Sequence, residues 1–219
     1  LTIISPSKFL ARGLKGLCNT NVQVVPNFID LGKFPYNPDS KTGHRLLWVR
    51  AFNAGYQPEI AVEALMQVRK SYPDASLTMI GPDKGTLPKI QEMISKYNLS
   101  DFVQFTGPVE NTELYTYFHS HDVYLNTTAH ESFGLAVFEA ASCGLPIVST
   151  RVGELPFIWT DGENIIFCSE QTGESFAQAI DLLFSDRILM DSISRAAELK
   201  STEYQWDAVR PAWEKLFQI

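Results

Sequence analysis

Hydrophobic residues along this chain recur in short runs that alternate with longer amphipathic stretches. Short apolar runs such as residues 45–49 and 76–80 predict buried strands, whereas the helical spacing of apolar residues in 59–72 predicts a helix. This β-α-β rhythm predicts an α/β fold with a doubly wound parallel sheet. The other predicted strands are 103–105, 123–126, 146–149 and 165–167, and the other predicted helices are 87–97, 112–119, 135–142, 174–184, 187–201 and 206–217.

The same rhythm indicates where a ligand would bind. In open α/β sheets ligands bind beyond the carboxyl ends of the strands, and those ends are expected after Val49, Ile80, Phe105 and Asn126. The segment that follows Asn126 contains the most distinctive motif of the chain. We therefore expect the functional site at this edge of the sheet.

Two glutamates flank a glycine turn in that segment. Glu131 and Glu139 have seven residues between them, around Phe133, Gly134 and Leu135, and an apolar run after the glycine predicts a buried helix. The free amides at a helix start carry partial positive charge, so an anion such as a diphosphate can bind there. Glu139 would lie roughly 7 Å further along the helix axis.

Carboxylates repel phosphate, so the useful partners of the two glutamates are hydroxyl groups on either side of it. A nucleotide sugar has this layout, with sugar hydroxyls, a diphosphate and a ribose diol. The spacing alone is equally typical of ordinary exposed glutamates near a helix start, because acidic residues favour the first turn. The residues around the pair distinguish the two interpretations.

The surrounding residues match a known pattern. The segment resembles the nucleotide-sugar-binding motif E-x-F-G-x-x-x-x-E-A of the retaining glycosyltransferases of family 4, which have the GT-B fold. The match extends over nearly the whole chain, although Phe28 replaces a usual glycine. The matching residues are Glu131, Phe133, Gly134, Glu139, Ala140, Cys143, Gly144, Pro146, Val148, Gly153, Leu155 and Pro156, with further similar segments at 25–34, 77–81, 103–109 and 161–164.

The resemblance implies one Rossmann-like half of a GT-B enzyme with C-terminal helices. Residues 1–20 would be the tail end of the N-terminal acceptor domain, 21–203 the donor-binding domain, and 204–219 a helix that crosses back to the first domain. Residues 1–7 read as a strand leading into a capped helix, as in a chain cut from a longer protein. Alone, the final helix is expected to expose its apolar face.

The resemblance also implies roles for the motif residues. Glu139 would hold the ribose hydroxyls, and Glu131 would position the donor sugar and stabilise charge as a catalytic residue. The amides of Phe133, Gly134 and Leu135 would hold the phosphate and the sugar. No water-activating pair is implied.

Two glycine turns complete the expected donor site. Gly81 follows the second strand of the domain, and the backbone from Gly107 to Val109 would lie beside the nucleotide base.

The implied reaction is the retaining transfer of a hexosyl unit from a nucleotide-diphosphate sugar to a sugar or lipid-linked acceptor, in polysaccharide or glycolipid biosynthesis. No metal or other cofactor is expected. Because the acceptor groups belong mainly to the first domain, this chain alone is expected to be inactive.

The chain departs from the family pattern where basic residues are usual. After the first strand of the donor domain, here residues 45–49, the family carries Gly-Arg and then a lysine. The arginine and the lysine neutralise the donor diphosphate. An ungapped alignment places Ala51 at the position of the family's arginine, Tyr56 at that of the lysine and Arg50 at that of the glycine. A single loop insertion would return Arg50 to the position of the arginine. Lys84 is the first candidate for the catalytic cation, or else a solvated turn lysine, followed by Arg50 and Arg151. We expect Arg50 and a helix N-terminus to bind the donor phosphate.

Composition narrows the classes of partner. The formal charge of −7 argues against nucleic acid, which calls for clustered Lys and Arg. No apolar run approaches the roughly 20 residues of a membrane span. Contact with a membrane surface would involve other parts of the protein.

The chain has three cysteines, which form no C-x-x-C pair and are expected to be reduced and buried: Cys18, Cys143 and Cys168. The expected location is the cytoplasm, including the inner face of a membrane.

Histidines and metal ligands change the picture little. No His, Cys and Asp cluster has metal-ligand spacing. His119 and His121 are expected in a loop before a strand, and His130 is expected as a solvated residue at the rim of the site.

Two other functions stay open at this point. The missing lysine agrees with a non-catalytic nucleotide-sugar-binding module descended from such enzymes. A GT-B nucleotide-sugar epimerase is the second alternative, and the E-x-F-G context makes it the weaker one.

Overall fold

Eight strands and nine α-helices are present in the described part of the chain, which comprises residues 2–17, 21–37, 39 and 42–217 of a computed structural model. The strands are β1 Thr2–Ser5, β2 Asn21–Val24, β3 Arg45–Val49, β4 Ser76–Ile80, β5 Val103–Gly107, β6 Val123–Asn126, β7 Ile147–Ser149 and β8 Ile166–Phe167. The helices are α1 Lys8–Leu17, α2 Pro58–Val68, α3 Leu87–Lys96, α4 Leu114–Ser120, α5 Leu135–Ser142, α6 Leu155–Ile158, α7 Gly173–Ser185, α8 Arg187–Thr202 and α9 Trp206–Phe217.

Six of the strands form one parallel sheet in the order β5-β4-β3-β6-β7-β8. The chain moves outward from β3 to β5 and then returns to the other side of β3 with β6. The predicted doubly wound sheet is therefore confirmed, and its topological switch point lies between β3 and β6. Strands β1 and β2 pair in a separate two-stranded parallel sheet.

The sheet is buried on both faces. Leu46 and Trp48 of β3 contact one hydrophobic cluster, whereas Leu47 between them contacts the other, because successive side chains of a strand point to opposite faces. Helices α2, α3 and α7 cover the first face, and α4 and α5 cover the second. Parallel strands covered in this way read as the continuous apolar runs from which they were predicted.

Several predicted boundaries need correction. The helix predicted over 59–72 ends at Val68, and the turns after it lead to Tyr72 immediately before Pro73, where a helical conformation is disfavoured. The Tyr72 ring packs instead on His44 and Phe184. Strand β2 and helix α6 were not predicted, because β2 mixes polar and apolar residues instead of forming an apolar run, and α6 is about one helical turn long.

The prediction of a loop position is wrong for His119 and right for His121, which lies between α4 and β6. His119 lies in the last turn of α4. His121 is buried, with Nε2 2.8 Å from Thr78 Oγ1 and Nδ1 2.7 Å from the Tyr117 carbonyl oxygen. The short connection into β6 holds His121 against the neighbouring part of the sheet, so it serves packing.

The last helix packs on the segment after β2. Val209 is buried, Trp213 Nε1 donates a hydrogen bond to the Pro26 carbonyl oxygen at 3.2 Å, and Trp206 meets the ring of Phe28 edge-on. The phenylalanine that replaces the usual glycine thus provides a contact for this helix. Other apolar side chains of α9, including Phe217, remain exposed, in keeping with the prediction of an exposed apolar face.

The two cysteines inside the described ranges, Cys143 and Cys168, are buried, as expected. Cys18 and Leu1 lie outside those ranges. None of the described helices has the length and apolarity needed to cross a membrane.

Candidate functional site

A cavity of about 370 Å³ opens beside the switch point, at the carboxyl ends of β3 and β4. One wall comes from the strand ends, with Arg50 and Gly81, and another from the first turns of α5, with Leu135 and Glu139. Val109 follows β5 and closes a third side. The other lining residues are Val49, Ala51, Ile80, Pro82, Pro108, Leu114 and Ala136.

A larger concavity, of about 480 Å³, lies between α2 and α7. Its walls include Gln67 and Tyr72, which lead into the start of β4, so it lies towards the amino edge of the sheet. We place the functional site in the smaller cavity, because parallel sheets bind ligands at the carboxyl edge. Five of the predicted site residues line it, namely Arg50, Gly81, Val109, Leu135 and Glu139.

An ion pair joins the two strands at the switch point. Arg50, directly after β3, donates from Nη2 to Glu131 Oε2 at 2.8 Å. The two side chains are only 14% and 12% exposed. The structure therefore brings the arginine into the site from the glycine slot of the alignment, which the sequence had left undecided.

The surroundings of Arg50 stabilise its charge but leave part of its hydrogen-bonding capacity unused. Its Nη2 lies 3.5 Å from Asn126 Oδ1, and its guanidinium lies 5.6 Å from the centre of the Tyr56 ring. Burial disfavours the charged form, yet Tyr124, Glu131 and Tyr56 raise the pKa of Arg50 above its ordinary value. Among the described residues, Arg50 Nε is buried without a hydrogen-bond partner.

Helix α5 is preceded by a glycine whose backbone conformation other residues rarely adopt. Gly134 has φ of +94°, and a Cβ atom there would lie 2.8 Å from the Leu155 side chain. The Phe133 amide donates to Glu131 Oε1 at 3.3 Å, so the glutamate already uses one of the amides expected to face a ligand. Leu135, whose amide was expected to face the ligand, is half-exposed and lines the cavity.

The Phe133 side chain has a packing role. It is buried and stacks on Phe138, with ring centres 5.0 Å apart. The aromatic residue of the motif thus anchors the start of α5 to the core, and only its backbone is near the site.

Glu139 lies on the cavity wall, one and a half turns into α5, as predicted. Burial raises the pKa of its carboxyl group, and the positive charge of Arg50 partly opposes this shift. Burial likewise raises the pKa of Tyr124, below the site, to about 12. Glu139 and Glu131 thus both lie close to the single guanidinium of Arg50.

The two expected glycine turns are next to each other. The Gly81 amide donates to the Gly107 carbonyl oxygen at 3.0 Å, and Gly107 has φ of +73°. A Cβ atom on Gly81 would lie 1.9 Å from the backbone oxygen of Arg50. Gly81 therefore allows β4 to pass close to the residue that carries the cation.

The other two candidate cations lie away from the cavity. Lys84 is in an exposed turn and does not line the cavity. Arg151 is 59% exposed and forms a 3.7 Å ion pair with Asp161. His130 is exposed, as expected for a residue at the rim.

Threonines hold the loop between Asn126 and Glu131, and the sequence reasoning missed them. Thr127 Oγ1 accepts from the Trp48 indole and donates to the Tyr56 carbonyl oxygen at 2.6 Å. Thr150 Oγ1 donates to the Thr128 carbonyl oxygen at 2.6 Å. Buried hydroxyl residues at the ends of apolar strands were the available signal, because such groups need hydrogen-bond partners.

No group of three or more His, Cys, Asp or Glu side chains in the described ranges has an arrangement that could hold a metal ion. The cavity and the ion pair at its border offer two carboxylates, one guanidinium and the backbone amides of the turns. Such a set can bind hydroxyl groups and one anionic group side by side.

The sequence profile described as glycosyl transferases group 1 matches residues 35–200, well over half of the chain. The chain belongs to this family. Within the group 1 glycosyl transferases, the match includes the whole six-stranded sheet and every residue of the cavity.

Relatives in the family have different named activities. A D-inositol 3-phosphate glycosyltransferase of Arthrobacter sp. (strain FB24) is 29% identical over 198 residues, which cover 85% of this chain and 47% of the relative. A glycogen synthase of Mycobacterium tuberculosis is 26% identical over 200 residues, covering 90% and 48%. The chain thus spans about half the length of these relatives.

Solved structures of GT-B glycosyltransferases share the fold. Sucrose-phosphate synthase from Thermosynechococcus elongatus has a TM-score of 0.85 at 21% identity, with 99% of this chain and 57% of that chain covered. The Anabaena protein HepE in complex with UDP and glucose has a TM-score of 0.87 at 19% identity, covering 100% and 63%. The C-terminal domain of a group 1 protein from Francisella tularensis has a TM-score of 0.72 at 20% identity, covering 81% of this chain and 98% of that domain.

Proposed function

We propose that this chain is the donor-binding half of a retaining family 4 hexosyltransferase that uses a nucleotide-diphosphate sugar. The observation that carries the proposal is the meeting of Arg50, Glu131 and Glu139 around one cavity at the switch point. The HepE complex with UDP and glucose, which shares the fold, supports this class of ligand. The acceptor, a sugar or a lipid-linked sugar, would bind mainly to residues outside this chain.

Each side chain has a distinct role in this proposal. Glu139, on α5, accepts hydrogen bonds from the ribose hydroxyls, and Glu131 accepts them from the donor sugar. Arg50 and the amides at the start of α5 bind the diphosphate between them. As the bond to the sugar breaks, the leaving diphosphate gains negative charge, and a preorganised cation stabilises it in a site of low dielectric constant. We assign this role to Arg50, because Lys84 is exposed and lies off the cavity wall.

The domain division proposed for the chain follows the same logic. Residues 1–20 belong to an acceptor domain and residues 204–219 cross back to it, so the active site lies between two halves. This chain alone binds the donor but does not transfer the sugar. We propose that the reaction requires no metal, since Arg50 and the helix start supply the positive charge, and that it takes place in the cytoplasm or at the inner face of a membrane.

Titration calorimetry with UDP, GDP, ADP and their hexose conjugates tests the proposal. We expect one nucleotide series to bind, and we expect Arg50→Ala to weaken binding of the sugar conjugate by at least about tenfold. Lys84→Ala is the matched control, which removes an exposed cation near the same edge and should leave affinity unchanged. An unchanged affinity of Arg50→Ala would contradict the assignment, and loss of affinity in Lys84→Ala would restore Lys84 as the cation.

One observation favours the non-catalytic alternative. Glu131 neutralises Arg50, the one cation that we find on the cavity wall of the described chain. Activity of the full-length protein separates the alternatives, because an enzyme of this class releases product with the anomeric configuration of the donor. Donor binding without transfer would support the binding module.

A further inference from the structure

Two groups that a donor would need are bound to each other. Arg50 Nη2 donates to Glu131 Oε2 at 2.8 Å, and both side chains are largely shielded from water. An anionic phosphate group that binds Arg50 competes for the guanidinium with this carboxylate. The affinity of any phosphate ligand therefore depends on what Glu131 contacts afterwards.

Glu131 has little else to bind. Apart from Arg50, the carboxylate accepts one hydrogen bond from the described residues, which comes from the Phe133 amide at 3.3 Å. A carboxylate in this environment that loses its charged partner is left poorly compensated, and this is costly in a buried site. A ligand that displaces Glu131 from Arg50 must therefore supply new hydrogen-bond donors to Glu131.

Arg50, by contrast, can form additional hydrogen bonds when an anionic ligand binds. Its Nε atom is buried and unpaired within the described chain, its contact with Asn126 is long, and only Nη2 makes a short bond. A phosphate accepts from two guanidinium nitrogens at once. The guanidinium thus has unused capacity for an anion, whereas Glu131 has unused capacity for hydroxyl groups.

The backbone on both sides is fixed, so only the side chains can exchange partners. The Arg50 carbonyl packs against Gly81, where no Cβ atom would fit. The Glu131 carbonyl oxygen accepts from the Glu154 amide at 3.0 Å and lies against Gly153 in the same way. The ion pair can therefore open by rotation of side chains without movement of either loop.

We propose that Glu131 determines specificity for the intact donor over the free nucleoside diphosphate, because it competes with the diphosphate for Arg50. A free diphosphate takes Arg50 and leaves Glu131 uncompensated. A nucleotide sugar takes Arg50 and also offers sugar hydroxyls to Glu131. The site then favours the glycosylated donor and releases the diphosphate product once the sugar has left. The inference rests on the proposed donor site and adds to it a means of product release.

Paired titrations test this inference, with UDP and UDP-glucose, GDP and GDP-mannose, and ADP and ADP-glucose as probes. The wild-type chain should bind the sugar conjugate of its nucleotide at least about tenfold more tightly than the free diphosphate. Glu131→Gln removes the competing charge at nearly constant shape, so it should bind the free diphosphate several-fold more tightly than the wild type does. The preference for the sugar conjugate should shrink in the same variant. Glu92→Gln, on the exposed face of α3, is the matched control and should change neither affinity.

Equal or weaker binding of the free diphosphate by Glu131→Gln would overturn the inference. Equal wild-type affinities for the diphosphate and its sugar conjugate would also overturn it, and this result is readable even if the variant fails to fold. Failure of the donor site itself gives a different result, in which neither the wild type nor Glu131→Gln binds any of the six probes, and the inference falls with it.

Discussion

An arginine–carboxylate pair joins β3 to the segment before β6 at the amino edge of the sheet, and a second pair joins the segments after these strands at the carboxyl edge. The two pairs differ in how many hydrogen bonds they form. At the amino edge, Arg45 contacts Asp122 through Nε at 2.8 Å and Nη2 at 3.2 Å, and the carboxylate also accepts from the amides of Arg45 and Gly43. At the carboxyl edge, Arg50 and Glu131 share one short bond.

This difference separates a structural pair from one that can bind a ligand. The fully buried Asp122 has both oxygens occupied by two donors each, so it holds the start of β3 against the start of β6. Arg50 keeps an unpaired Nε and borders a cavity. Saturated buried polar groups stabilise a fold, and unsaturated groups beside a cavity are those that a ligand can complete.

The largest effect is expected from the backbone that places the carboxyl-edge pair. Gly81→Ala should lower the free energy of unfolding by about 4 kcal/mol, because the residue has φ of +146° and the new Cβ atom meets the Arg50 carbonyl. Gly85→Ala is the control, since Gly85 has φ of +107° with open space around it. Urea denaturation of both variants measures the clash as the difference between them. Equal losses would show that Gly81 does not constrain Arg50.

The next largest effect is expected at the amino edge. Asp122→Ala should lower the free energy of unfolding by about 3 kcal/mol, because Arg45 and two backbone amides lose their partner. Donor affinity of the folded variant should stay unchanged, because Asp122 lies at the opposite edge from the cavity. Chemical denaturation and calorimetry measure the two quantities. A loss of donor affinity without a loss of stability would reverse the roles given to the two edges.

The smallest expected effect is on the pH dependence of stability, to which Asp122 and Glu139 contribute with opposite signs. Burial disfavours the ionised form of Asp122, yet hydrogen bonds from the Arg45 side chain, Arg45 amide and Gly43 amide lower its pKa. Its contribution is full above the unfolded pKa of about 3.9 and is lost as pH falls through the folded pKa. Burial raises the pKa of Glu139, so its contribution is full below about pH 4.3 and is lost as pH rises through the folded pKa.

Denaturation curves for Asp122→Asn and Glu139→Gln against the wild type measure these dependences. The stability advantage of the wild type over Asp122→Asn should shrink as the solution is acidified below about pH 4. The wild type should lose stability relative to Glu139→Gln as the pH rises above about 5. The same sign of pH dependence in both comparisons would contradict the description of the two edges.

Local patterns predicted most of the sheet and the motif. The strands β3, β4 and β6 were predicted with correct bounds because strands buried on both faces are mostly apolar. The start of α5 was predicted from Gly134 and the apolar residues after it. Short elements such as β2 and α6 escaped prediction, since pairing and packing stabilise them rather than local preference.

The sequence by itself determined the fold class, the family and the positions of Glu131 and Glu139, because these depend on local periodicity and spacing. The tertiary structure alone decided that Arg50 rather than Lys84 lies on the cavity wall, since the position of a side chain after a strand depends on the neighbouring strand, here through Gly81. It also decided that Arg50 bonds Glu131, which is 81 residues away in the chain. Contacts between such distant residues follow from the order of the strands, and no local pattern contains that order.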